Sequence, residues 1–496
     1  MTAPETARAE TPARPPVPRR TWLALAVLLA GAFMALLDTT IVNVALPVIR
    51  DSIDADEATL SWIISGYALA YGLALIPAGR FGDRFGHKGT FLVGIAVFTA
   101  ASLWCALAPD GTSLIVARVV QGLGGGIFFP AITALIQLEF PPQRRGQAFA
   151  IMGAVIGVST ALGPIVGGLL IQAFGEGEGW RSIFLVNLPL GVLAIVAAAL
   201  VLRRGGESDR LAADWAGLAL LAGGLVAILV PLIQGEDAGW PAWTWISIGG
   251  GLALIVSFAL WEIARERRGR VVLVPPRLFR HPAFAGGALL ALVYFAAFTS
   301  IFFSISILWQ AGLGHTALES GLVSIPFAIG NIVGASQSDR LAARLGRSVL
   351  VIGVGLVAAS LIAIWLILAL VPTTELTNWD LLAPLALGGL GSGLFIAPNA
   401  QFIVATVDRA DAGAASGVIG TVQRVGAAVG IAIIGSILFG TLDVPAAPTP
   451  TDLANAFGTS ASWALLTSAC FAVVAFALVF ALPRRLERAG GRPAEG

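Results

Sequence analysis

Apolar runs long enough to cross a bilayer recur along this chain from Trp22 to Leu482 with only short polar breaks between them, and no other feature limits its possible folds as much. A hydrocarbon core of about 30 Å takes roughly 20 apolar residues per helical crossing. Inside lipid every backbone N–H and C=O must be paired within the spanning structure, so only helices and closed barrels qualify, and these runs are far longer than barrel strands. With 57% hydrophobic and 12% charged residues and a mean hydropathy of +0.87, most of the helices could not be solvated on any face. An all-α polytopic membrane protein is the expected class.

The breaks place fourteen crossings, near residues 22–47, 59–79, 89–108, 113–135, 146–173, 182–202, 213–233, 243–262, 284–310, 318–338, 348–370, 381–404, 412–439 and 461–482. An even number puts both termini on one side, and Lys and Arg are retained in the cytoplasm. On this assignment the termini and alternate loops hold 26 of the 30 basic residues, the opposite loops hold only Arg50 and Arg181, and Arg118 and Arg424 lie within spans. Both termini are therefore expected on the cytoplasmic side of a bacterial inner membrane. The first run does not read as a cleaved signal peptide, because it continues through Asp38 and Asn43 to Pro47 without a small-residue cleavage pattern.

The two longest cytoplasmic connections, Arg203 to Asp214 and Glu262 to Pro282, divide the spans into six, two and six. The expected organisation is a cytoplasmic tail (1–21), an N-terminal six-helix bundle (22–202), two inserted helices with the loop before them (203–263), a cytoplasmic loop (264–282), a C-terminal six-helix bundle (283–482) and a second tail (483–496). Ser338-Asp339-Arg340-Leu341 followed by Arg344-Leu345-Gly346-Arg347 echoes the stretch after the second span, which suggests duplicated halves.

Several function classes are disfavoured. A net charge of +1 argues against a nucleic-acid partner, and Cys105 and Cys470, both in apolar runs, indicate neither a disulfide framework nor a metal site. Gly122 to Gly126 is not a phosphate loop, since no Lys-Ser/Thr pair follows. No enzymatic activity and no cofactor are expected; the expected partners are a small-molecule substrate, protons and the lipid bilayer, with the chain a monomer.

An acidic side chain within a span is costly and normally faces a cavity or a partner, which singles out Asp38. At ~1.5 Å per residue it lies roughly 24 Å from the start of the first span, while Arg118 enters from the other side to a depth of about 8 Å. In a core of about 30 Å those depths nearly coincide, so the two side chains can meet. Burial raises a carboxylate's pKa and a neighbouring arginine lowers it, so separating and rejoining such a pair would load and release a proton. A static pair that only fixes helix packing is the alternative.

The sequence also carries four motifs. Gly79 to Phe91 reads GRFGDRFGHKGTF, Arg118 to Gly126 reads RVVQGLGGG, Leu37 to Pro47 reads LDTTIVNVALP, and Gly157 is followed by GPIVGG from Gly163 to Gly168. In order and position these resemble the motifs of the major facilitator superfamily, and of its fourteen-span drug:proton antiporter family in particular. Gly79, Asp83, Arg84, Gly86 and Lys88 match the superfamily loop, whereas Phe81, Gly82 and His87 depart from it. The likeness covers essentially the whole chain and is weaker in the second half, where it rests on Gly413 to Gly435.

The resemblance implies two six-helix halves rocking about a central cavity, export of apolar or cationic drugs against protons, and multidrug efflux with antibiotic resistance as the outcome. It implies coupling roles for Asp38 and Arg118. It also implies a conformational latch at Gly79, Asp83, Arg84, Gly86 and Lys88, with topology anchoring the plainer reading of Arg80, Arg84 and Lys88. Gly157, Gly163, Pro164, Gly167 and Gly168 would form an antiporter motif; their plain reading is close helix packing, with a bend at Pro164. Asn43, Tyr67, Tyr71, Gln121, Asn331, Asn399 and Arg424 are candidates for the cavity wall, as are Asn187, Gln401, Phe298 and Phe302, although polar residues in spans also join helices. Arg424, some 18 Å into its span at ~1.5 Å per residue, would bind an anion, balance Asp38 or pair with carbonyl groups. An importer, a dedicated exporter of an endogenous secondary metabolite and a non-transporting receptor or scaffold are the competing functions.

Overall fold

The computed structural model describes residues 17–482 apart from 56, 176, 204–213, 236–237, 271, 405–406, 408–410 and 446, and all regular structure among them is helical. Most of the first tail, the second tail and nearly all of the connection from Arg203 to Asp214 lie outside the described residues. Twelve helices are long and apolar enough to cross a membrane unbroken, and two bent pairs bring the number to fourteen.

The first half comprises α1 (Arg19–Ile53), α2 (Glu57–Phe85), α3 (His87–Leu107), α4 (Gly111–Glu139), α5 (Pro142–Phe174) and α6 (Asn187–Val201). Then come α7 (Trp215–Gln234) and α8 (Ala242–Arg267), followed by α9 (Pro282–Ile307), α10 (Ile325–Leu345, led in by the short helix Ala317–Leu322), α11 (Ser348–Leu370), α12 (Leu382–Val404), α13 (Ala412–Gly440) and α14 (Pro450–Val479). Several ends are closed by side chains rather than by solvent. Asp110 accepts the Ser113 N–H at the start of α4, Thr449 and Asp452 form a capping box at the start of α14, and Arg181 donates to the carbonyls of Ala106 in the last turn of α3 and Ala108 just past it.

The second half repeats the packing of the first. Within α1–α6, α2 and α3 pack on α4, α1 on α5, and α6 on α1 and α3; within α9–α14, α10 and α11 pack on α12, α9 on α13, and α14 on α9 and α11. Glycines set the close crossings in both. A Cβ on Gly122 or Gly126 of α4 would lie 2.4 Å from the carbonyl oxygen of Tyr67 or Tyr71 on α2. On α12, a Cβ on Gly389 or Gly393 would lie 2.0 or 2.3 Å from those of Phe327 and Asn331 on α10. Lipid supplies no hydrophobic drive between helices, so backbone approach of this kind carries much of the association.

The halves meet along two seams, α2 against α13 and α5 against α10 and α12, while α7 pairs with α8 and leans on α2 and α13. Both seam helices of the first half are bent: α2 by 45° between Leu75 and Pro77, and α5 by 42° between Ser159 and Leu162. Pro164 can neither donate to nor fit beside the carbonyl four residues back, which accounts for the α5 bend, and Pro77 acts alike in α2. The bend in α2 was not anticipated from the sequence.

Candidate functional site

Four helices bring polar side chains, and a fifth a backbone carbonyl, to one buried point in the first half. Asp38 of α1 and Gln121 of α4 are wholly buried and Arg118 is 1% exposed. Arg118 donates to Asp38 Oδ2 at 2.5 Å and to Gln121 Oε1 at 2.7 Å, and its Nε donates to the Ile63 carbonyl of α2 at 3.1 Å. Asp38 Oδ1 accepts from Gln121 Nε2 and from Asn187 Nδ2 of α6, both at 2.9 Å. Ser102 of α3 closes the set, accepting from the same two amides at 2.8 and 3.3 Å. Asp38 and Arg118 thus meet, as their depths in the spans predict, whereas Ser102, a serine in an apolar run, is unremarkable in the sequence by itself.

Local sequence explains the approach. Gly122, one turn after Arg118, lets α4 come within backbone contact of α2, so the guanidinium reaches the Ile63 carbonyl and lies 4.2 Å over the Tyr67 ring. Tyr67 is fixed in turn by donating to the Ala35 carbonyl of α1 at 3.1 Å. A buried ion pair repays its desolvation only when the remaining lone pairs and protons are also satisfied, and here each Asp38 oxygen has at least one donor.

At the end of the bundle that carries both termini, α2 runs on to Phe85, six residues past the expected span, and turns at Gly86 with φ of +90° directly into α3. Only glycine adopts that φ without strain. Gly79 is buried, Arg84 lies over the Phe85 ring, and Lys88 donates to the Ala199 and Leu202 carbonyls at the end of α6. Asp83 stands 3.7 Å from Arg80 and 3.4 Å from His87. The link to the other half runs through Arg80, 3.8 Å from Asp411 at the start of α13 and donating to the Leu273 carbonyl at 2.5 Å. Val274 N–H donates to Glu262 of α8, and Arg277 bridges Asp411 and Glu266. Asp411 carries no recognisable motif, so this junction with the inserted helices was invisible in the sequence.

Every residue of the fifth-helix motif sits at a close contact. A Cβ on Gly157 would lie 2.1 Å from Asn331 of α10, and one on Gly163 would meet Thr40 of α1. Gly167 packs against Ile41 and Val44, Gly168 against Leu318, and Pro164 against Gly321. Asn331 is buried between α5 and α12, beside Ser392. Asn399 is also buried and donates to the Gly287 carbonyl, and Gln401 donates to the Gly146 carbonyl across the second seam. Asn43 is exposed, whereas Phe298 is buried in an aromatic cluster with Tyr294 and Phe327. Arg424 is half-buried with its guanidinium 4.1 Å over the Tyr71 ring.

Residues 28–431 match the family profile described as Major Facilitator Superfamily. The chain is 38% identical to a probable actinorhodin transporter of Streptomyces coelicolor, over 90% of this chain and 77% of that one. It is 34% identical to the tetracenomycin C resistance and export protein of Streptomyces glaucescens, over 84% and 76%. It is 33% identical to a methylenomycin A resistance protein of Streptomyces coelicolor, over 89% and 92%. Its fold is shared with the human organic anion transporter MFSD10, at a TM-score of 0.62 and 14% identity, covering 94% of this chain and 100% of the other.

Proposed function

The chain belongs to the Major Facilitator Superfamily, and from that premise we propose that it exports drug-sized organic compounds in exchange for protons by alternating access. The observation that carries this reading is Asp38, a carboxylate wholly buried in the bundle with an arginine, a glutamine and an asparagine arranged around it. A group so placed serves a pump if rocking of the halves uncovers it to one side and then the other. Protonation removes the charge that holds Arg118 and lets the network part; deprotonation pulls it together again. Inward proton flow then supplies the work, its electrical part being ~2.3 kcal/mol per charge per 100 mV.

The rest of the molecule suits that cycle. Cytoplasmic termini, as the arginine distribution requires, put the junction of Arg80, Asp83 and Asp411 at the cytoplasmic mouth, where it latches the halves in the outward-open phase. The close contacts of Gly157, Gly163 and Gly168 seal α5 against α1 and the other half. The transporting unit in this reading is the monomer, in which each seam joins two parts of one polypeptide. Three relatives whose names concern transport of, export of or resistance to antibiotics support a drug or an endogenous antibiotic as the cargo. Export of a single endogenous metabolite differs from multidrug efflux only in a few cavity side chains.

The test is reconstitution into liposomes with an imposed pH gradient and a panel of dyes and antibiotics, native chain beside Asp38→Asn. Gradient-driven uptake should fall by about two orders of magnitude in the variant, the scale of a lost proton-transfer group. Retention of full coupling by Asp38→Asn would remove the carboxylate from the mechanism.

A further inference from the structure

Three charged side chains lie deep within the spans among the described residues, and two of them cancel. Asp38 is held by Arg118, whereas Arg424 of α13 has no carboxylate partner among the described residues. It lies some 18 Å along its helix at ~1.5 Å per residue, a depth at which an arginine is normally paired or faces water. Its guanidinium rests on Tyr71, a side chain only 1% exposed, and its Cβ lies 4.0 Å from where a Cβ on Gly72 of α2 would be. Arg424 therefore lies in the seam between the halves, with the neutral ring and hydroxyl of Tyr71 against its charge.

The geometry around it is a short ladder. Arg118 lies over Tyr67 at 4.2 Å, the Tyr67 and Tyr71 rings are 5.8 Å apart, and Arg424 lies over Tyr71 at 4.1 Å. One guanidinium of this ladder is satisfied by a carboxylate and the other is not. A ring face attracts a cation through its quadrupole, but a carboxylate offers a full opposite charge in a two-pronged geometry that matches the guanidinium plane.

We propose that Arg424 and Tyr71 form the substrate's recognition point, and that the cargo is an aromatic acid whose carboxylate or phenolate pairs with Arg424 while its ring stacks where the guanidinium now rests on Tyr71. The reading rests on the export function above and narrows its substrate class from apolar or cationic compounds to acidic ones. Binding the acid brings the deep charges to zero. It also replaces the contact between Tyr71 of one half and Arg424 of the other, so arrival of substrate loosens the α2–α13 seam at the height of the proton site.

The experiment measures equilibrium binding of two dyes on one scaffold, fluorescein as the acid and rhodamine 6G as the cation, to the full chain in detergent by fluorescence polarisation. In Arg424→Gln the affinity ratio of fluorescein to rhodamine 6G should fall about tenfold or more, the effect of losing a charge-assisted hydrogen-bonded pair. Arg424→Lys, which keeps charge without the planar fork, should fall between. A ratio within twofold of native in Arg424→Gln, in a sample whose unfolding temperature matches the native chain, overturns the proposal, and so does the absence of fluorescein binding to the native chain. Where Arg424→Gln does not fold, Arg424→Lys decides by the same ratio. An Arg424-dependent preference for fluorescein in a chain that moves neither dye against a pH gradient would sink the export reading and leave this site standing.

Discussion

The two halves share a frame and differ in what hangs on it. Aligning Gly122 and Gly126 with Gly389 and Gly393, each pair against two carbonyls one helical turn apart, places Arg118 opposite Leu385 and Gln121 opposite Gly388. Gly167 against the Ile41 carbonyl and Gly430 against that of Ala296 likewise place Asp38 opposite Val293. Where the first half buries an ion pair, the second has two aliphatic side chains and an aromatic cluster in which Tyr294 lies 4.0 Å from Phe395 and Phe302 lies 5.0 Å from Phe327. The difference separates architecture from chemistry: a half-bundle needs its glycine crossings but does not need charge. A half-bundle of this frame can thus be built without a buried ion pair, which is the ground for proposing a coupling role for the pair in the first half.

The strongest way to break that comparison is to give the first half the residues of the second. Arg118→Leu alone leaves Asp38 buried without its cation and should destabilise the chain by roughly 3–5 kcal/mol, read from its unfolding in detergent. Adding Asp38→Val should recover most of that loss while abolishing transport driven by a pH gradient. A double variant that still couples transport to the gradient would show that the pair is ornamental, and one as unstable as the single would show that the pair is part of the frame.

A smaller effect sharpens the shared part. Gly124→Ala, whose Cβ would meet the Phe98 backbone at 2.6 Å, and Gly391→Ala, whose Cβ would meet the Gly353 carbonyl at 2.5 Å, occupy corresponding crossings. Each should cost about 2 kcal/mol by overpacking, with similar values in the two halves. Unequal costs, with one variant indistinguishable from native in a thermal melt, would mean the two frames are not equivalent.

The smallest effect concerns the junction at the end that carries both termini, which has no counterpart among the buried residues. Arg80→Gln removes a partly exposed link to Asp411 and should cost about 1 kcal/mol of closure, seen as roughly fivefold faster amide exchange at the start of α13. Unchanged exchange there would leave the latch to Asp83 alone.

The sequence was most readable where lipid constrains it. Span count, the meeting of Asp38 with Arg118 and the bend near Pro164 all follow from thickness, charge cost and a missing N–H, which are one-dimensional rules. Ser102, and the pairing of the candidate Asn187 with Asp38, were beyond those rules, because which face of α3 or α6 turns toward α1 depends on three-body packing. The junction at Asp411 was hidden for a related reason: it joins residues from α2, α8, the connection after it and α13, more than three hundred positions apart. Pro77 was legible in principle, but a proline in a span is a bend only if neighbouring helices absorb it.

The bends of α2 and α5 have a further consequence. Crossings too tight for a methyl group make each half behave as a stiff plate, so elastic compliance is concentrated at the two kinks, and both kinked helices form seams with the opposite plate. Substitutions among side chains lining the gap are then expected to retune the cargo, and substitutions at the crossing glycines or at the two prolines to stiffen or misalign the bends.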